Sequence, residues 1–256
     1  MNLTIVWGSS GAGKTALALS LAAELAKKHE DTLVISNDSR TPALPVYLPG
    51  NSGLIGANSL GALLEQPVVS EGALKDRIHR HPKSEHLFFM GYVSGEVMGI
   101  TYRPPHREII SSLLQQLQQS PFRHVIIDGD ASPIYDPLTL FALEHAQQVV
   151  RIVTPDVKGY EWQKAQLSWL RNSELFHAER HIKVANYISP TTPLAAAQSV
   201  FGGFDYELPQ ARQVADKMAA GELLCNFDVP DAVRFERSIT AMMGQLSVNE
   251  ELKKHV

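Results

Sequence analysis

Short apolar runs alternate with longer stretches of helical periodicity along this chain. LTIVW (3–7), TLVIS (32–36), HLFFMGY (86–92), HVIID (124–128), VVRIVTP (149–155) and IKVANYIS (182–189) are compact runs rich in apolar residues, β-branched or aromatic, which predicts buried strands. Between them, TALALSLAAELAKK (15–28) consists of strong helix formers, with leucines 17, 21 and 25 on one face. REIISSLLQQLQQS (107–120), PLTLFALEHA (137–146) and YEWQKAQLSWLRNS (160–173) predict further helices. Residues 37–83 are rich in Pro, Gly, Asn and Ser and predict loops and short helices, one around LGALLEQ at 60–66. The last third predicts helices near 193–200, 209–220 and 231–247 and a short strand near 203–207. Such alternation predicts an α/β fold, a mostly parallel β-sheet with helices on both faces. With no repeat, low-complexity tract or interdomain linker, one domain over residues 1–256 is expected.

The junction of the first strand and first helix reads G-S-S-G-A-G-K-T from Gly8 to Thr15, a complete phosphate-binding loop. Glycines are needed because successive backbone N–H groups must turn inward around phosphates, where side chains would block the approach. The candidate nucleotide-binding residues are Gly8, Ser9, Ser10, Gly11, Ala12, Gly13, Lys14, Thr15 and Ala16. Lys14 is expected to reach the β- and γ-phosphates and Thr15 to place its hydroxyl on Mg²⁺, while the helix start adds its positive dipole end. The second half of such a site is an acid at a strand end that holds the metal through water, and Asp128 closing HVIID supplies it. Asp38, just beyond TLVIS, falls where ligands sit in open α/β sheets and is expected to orient the attacking water, against a turn-capping role. Two roles fit Asp130: assistance to the metal, or a solvated turn acid.

Composition narrows the classes. In 256 residues, 44% hydrophobic and 20% charged, with a net charge of -4, nothing draws the chain broadly to nucleic acid or acidic membranes. A single cysteine, Cys225, excludes an internal disulfide framework and is expected in the core. Without a secretory leader or an apolar run of about 18 residues, a cytoplasmic protein is expected, with peripheral association at the inner membrane face or cell pole left open. His79, His81 and His86 match no metal-ligand spacing and read as a solvated basic loop. Phe235, Ile239, Met242, Met243 and Leu246 share one helical face, and core or partner contact is expected over membrane binding because the following tail carries little positive charge.

In this order the pieces resemble the MinD/ParA family of P-loop ATPases. VISND is similar to the family's V-D-x-D segment, with Asp38 on its second acid and Ser36 replacing the first. FRHVIIDGDASPIYDPLTLFALEHAQQVVRIVTPDVKG resembles the family's strand, switch loop, helix and strand ending in T-P. IKVANYIS resembles the strand whose terminal asparagine reads adenine, which falls on Asn186, and YELPQARQVADKMAAGELL the segment after which adenine packs. The resemblance spans roughly residues 2–225 and implies ATP with Mg²⁺, catalytic roles for Lys14, Asp38 and Asp128, and a homodimer closing over two nucleotides. Two departures stand out. Ser9 replaces the lysine that in the family crosses to the partner's nucleotide, and Asp128-Gly129-Asp130-Ala131-Ser132 replaces D-x-P-P-G. They imply weak or partner-dependent hydrolysis, with a partner protein or a basic residue such as Arg40 supplying the missing charge. They also resemble the divergent TadZ/CpaE pilus-assembly branch, so the expected partner belongs to a pilus, secretion or conjugation machine. The competing readings are a P-loop small-molecule kinase or ligase and a DNA-partitioning ParA; nucleic acid binding is not expected, since the last needs a basic patch that the net charge does not favour.

Overall fold

The computed structural model describes residues 1–48, 56–171 and 177–253. β1 (Asn2–Gly8) leads into α1 (Lys14–Lys27), and β2 (Thr32–Ser36) into the short helices α2 (Leu44–Tyr47), α3 (Leu60–Leu64) and α4 (Glu71–Lys75). A two-residue strand, β3 (His79–Arg80), precedes β4 (Leu87–Gly91), α5 (Arg107–Gln119) and β5 (His124–Asp128). Then come α6 (Pro137–His145), β6 (Gln148–Val153), α7 (Val157–Arg171) and β7 (His181–Ile188). The chain closes with α8 (Leu194–Phe201), β8 (Tyr206–Pro209), α9 (Arg212–Ala219) and α10 (Pro230–Lys253). The expected stretch 49–55 and the last two residues of the expected helix 160–173 lie outside the described residues.

These strands form one sheet in the order β3-β4-β2-β5-β1-β6-β7-β8, parallel except for the β3–β4 pair. Alternate side chains enter opposite cores, as a sheet covered on both faces requires. In β1, Leu3, Ile5 and Trp7 pack on the side of α5 and α6, whereas Val6 packs on the side of α1 and α10. The order places β5 between β2 and β1, so three strands distant in sequence end side by side. That adjacency positions the site.

The structure corrects the sequence reading in three places. His79 and Arg80 are not in a solvated loop but pair with Phe89 and Phe88 on the sheet edge, and His81 is buried against the Phe89 ring. Two residues are too few for a strand pattern to show. Among the described residues no group of three or more His, Cys, Asp or Glu could hold a metal ion. The short strand expected near 203–207 forms at Tyr206–Pro209, because Gly202 and Gly203 both take positive φ (72° and 80°) and turn the chain out of α8 first. The last helix runs on to Lys253, past the expected end at 247.

Phe235, Ile239, Met242, Met243 and Leu246 are all buried in the core that holds Leu17, Leu21 and Leu25 of α1. Burying such side chains contributes about 1.5–3 kcal/mol each, so this stripe fastens α10 to the sheet rather than facing a bilayer. Cys225 is buried too. Among the described residues no helix is long and apolar enough to cross a membrane.

Candidate functional site

β1 ends at Gly8, where the chain must pass β6 so closely that a Cβ would lie 1.9 Å from the Ile152 carbonyl oxygen. The loop then turns through Gly13, whose φ of 89° suits glycine, with the Asn186 amide 2.4 Å from where a Cβ would sit. α1 begins at Lys14, so the free N–H groups of its first turn face the loop interior. The Lys14 ammonium folds back toward the Ser9 carbonyl at 3.4 Å. Ser10 and Gly11 are exposed, Ala12 is buried, and Gly13 to Ala16 are half-buried. Ser9 is only 2% exposed and its Oγ makes no hydrogen bond, so this position presents no group outward.

The strand order brings Asp128 to this loop. Its Oδ2 accepts a 2.6 Å hydrogen bond from Thr15 Oγ1, while Oδ1, also buried, makes none. Burial raises the Asp128 carboxyl to about 6, against the opposing effects of the Thr15 bond and the Lys14 charge. A buried carboxylate with an unspent oxygen beside a threonine hydroxyl and a lysine is a donor set that fits a hard divalent cation and a phosphate chain. Thr15 and Asp128, the expected metal pair, are thus together.

Asp38 stands at the end of β2, and its carboxylate is engaged by its own loop. Oδ1 accepts from the backbone N–H of Arg40 (2.9 Å) and Thr41 (3.1 Å), and Oδ2 from Thr41 Oγ1 (2.6 Å). Burial pushes this carboxyl up, but the bonds from Thr41 and Arg40 outweigh it and hold Asp38 below its ordinary range. Asp130 is not a solvated turn acid. It is 9% exposed, forms an ion pair with Arg40, accepts from Ser132 N at 2.7 Å, and its own N–H donates to Thr139 Oγ1.

The Asn186 Nδ2 donates to the Ala12 carbonyl at 2.8 Å, tying the end of β7 to the phosphate loop. The next residue, Tyr187, has a φ of 61° and reaches toward Gly13. It lines a cleft of about 910 Å³ with Ser189, Pro209, Gln210, Arg212 and Asp231.

Several site residues carried no sequence signal. Tyr47, from the Pro-rich stretch, is buried beside Thr15; burial, then the charges of Asp128 and Asp38, push its phenol well up. Asn37 donates to Asp136 Oδ1 (2.7 Å) and Thr139 Oγ1 (3.2 Å), and Asp136 caps α6 through Thr139 N (2.6 Å). Trp7, just before the loop, packs edge-on against Trp162 with ring centroids 4.9 Å apart, and the Trp162 indole donates to the Ala131 carbonyl. Of these, Asp136 alone sits in a local pattern, D-P-x-T, that could have been read as a helix cap.

No family model matches the chain. The curated relative EspI, an ESX-1 secretion-associated protein of Mycobacterium tuberculosis, is 23% identical over 252 residues, covering 96% of this chain. The chain spans 36% of that relative's length. Among solved structures, the MinD cell division protein of Aquifex aeolicus superposes with a TM-score of 0.72 at 14% identity, covering 95% of this chain and 97% of that one. The ATP complex of a Cyanothece McdA variant superposes with a TM-score of 0.71 at 18% identity, covering 95% and 96%. With its phosphate loop between β1 and α1 in an eight-stranded, mostly parallel sheet, the chain has the P-loop NTPase fold of the MinD and ParA proteins.

Proposed function

We propose that this chain binds ATP with Mg²⁺ and acts as a nucleotide-switched positioning or assembly factor, with weak or partner-dependent hydrolysis. The observation that carries the reading is the Thr15–Asp128 contact beside Lys14 at the mouth of the phosphate loop. Thr15 would hold the metal directly and Asp128 through water, and the metal would neutralise charge on the phosphates. Lys14 and the loop N–H groups would bind the β- and γ-phosphates, Asp38 would orient water, and Asn186 with the cleft beyond Tyr187 would take adenine. The ATP complex of the McdA variant supports the nucleotide.

A homodimer closing on the sheet-end face fits the exposed apolar residues there. Ile134 and Tyr135 follow β5 and Val157 follows β6, at 60%, 84% and 80% exposure. An exposed apolar cluster around a polar site is the mark of a contact surface. Ser9 brings no cation to that face, which is the reason for slow intrinsic turnover. Of the pilus, secretion and conjugation machines, the likeness to a secretion-associated protein favours secretion. We place the protein in the cytoplasm, as a single domain with a protein partner at the membrane or cell pole.

Calorimetry tests the core of this reading. Lys14→Ala should weaken MgATP binding roughly ten- to a hundredfold by removing a charge-assisted contact; unchanged affinity would sink the assignment. Light scattering with ATP and steady-state turnover test the remainder, and a monomer in every nucleotide state that hydrolyses briskly alone would end it.

A further inference from the structure

Arg40 stands where the loop after β2 meets the loop after β5. The Asp38 carboxylate binds the Arg40 backbone N–H, so the turn fixes where this residue starts. Its guanidinium Nη2 donates to Asp130 Oδ2, and the side chain is nonetheless 65% exposed. The acceptor is firmly built: Asp130 is held by Ser132 N and Thr139 Oγ1, and Thr139 is bonded in turn to Asn37. A movable cation therefore rests on an immobile anion, one strand away from the phosphate loop.

The surrounding charges make this pair exchangeable. Asp38, Asp130 and Asp136 all act on Arg40, and Asp38 and Asp130 also act on Asp128, whereas Lys14 is the cation that acts on Asp128. A triphosphate bound at Gly8–Thr15 adds several negative charges to an already acidic site. The guanidinium presents a planar fork that suits phosphate oxygens as well as carboxylate. The segment that carries Arg40 also reaches the loop, since Tyr47 seven residues on lies beside Thr15. Because β5 lies between β2 and β1, Arg40 approaches the phosphate loop from the Asp130 side.

We propose that Arg40 is a second phosphate-binding residue, held on Asp130 and exchanged onto the terminal phosphate of a bound nucleoside triphosphate. The exchange rests on the nucleotide reading above. It gives the triphosphate, and not the diphosphate, a contact outside the phosphate loop.

The two partners should shift affinity in opposite directions. In calorimetry with MgATP and MgADP, Arg40→Ala should lose about tenfold in ATP affinity and stay within about twofold for ADP. Asp130→Asn, which removes the competing anion, should bind ATP several-fold more tightly with ADP unchanged, and the double variant should behave as Arg40→Ala. Both folds can be checked by melting, since the Arg40 side chain is exposed and Asn keeps an acceptor for Ser132. Wild-type ATP affinity in Arg40→Ala, equal losses for ATP and ADP, or weakened ATP binding in Asp130→Asn would overturn the exchange. A wild-type protein that binds neither nucleotide would overturn the nucleotide reading itself.

Discussion

Thr15 Oγ1 donates to Asp128 Oδ2 across 2.6 Å, although 113 residues separate the two in the chain. The contact joins the first turn of α1 to the end of β5, and it aims a hydroxyl and a carboxylate at one point. Each half of the site is ordinary alone; their adjacency is what suits a magnesium nucleotide.

Asp128 should cost stability at neutral pH. Its carboxyl, raised by burial from 3.8 to about 6, favours the fold most at low pH and loses that contribution as pH rises through 6. Above this window the buried carboxylate costs about 3 kcal/mol. Asp128→Asn should therefore be more stable than wild type in urea at about pH 8, with the gain vanishing near pH 4. The same variant should lose Mg²⁺-dependent ATP binding. A destabilised variant at pH 8 would refute the account.

For Asp38 the turn and the chemistry can be separated. Asp38→Ala removes an acceptor for three hydrogen bonds and should cost about 1–2 kcal/mol. ATP affinity should change little while turnover falls. Asp38→Asn keeps the oxygen that accepts from the Arg40 and Thr41 N–H groups but not the charge, so turnover that recovers fully in Asn would reduce Asp38 to a scaffold.

The tryptophan pair offers an optical readout. Trp162 touches Trp7 at the start of the phosphate loop and donates to Ala131 in the loop after Asp128. MgATP should change tryptophan emission, and Trp162→Phe should abolish most of that change. A full change retained in Trp162→Phe would disconnect these indoles from the site.

Truncation within the α10 stripe should read as a core mutation. Ile239 is fully buried, and Ile239→Ala should cost about 2–5 kcal/mol in chemical denaturation. A surface or membrane-facing residue would change stability by less than about 0.5 kcal/mol.

Much of this architecture was legible because its signals are local. An apolar run followed by G-S-S-G-A-G-K-T and a run of helix formers specifies strand, loop and helix from adjacent residues alone. Asp38 and Asp128 were legible for the same reason, as acids closing apolar runs. The alternation of strand and helix was enough to predict a parallel sheet with both faces covered.

Strand order was decided only in three dimensions. Inserting β5 between β2 and β1 sets Asp128 against Thr15, and no local pattern encodes that choice. The same holds for Asn37 on Asp136 and Arg40 on Asp130, pairs drawn from different loops. His81 looked solvated among charged neighbours, yet the edge pairing of His79 and Arg80 carries it under the Phe89 ring. Backbone patterns follow from residues a few positions apart, whereas these contacts depend on which strand ends the folded sheet brings side by side.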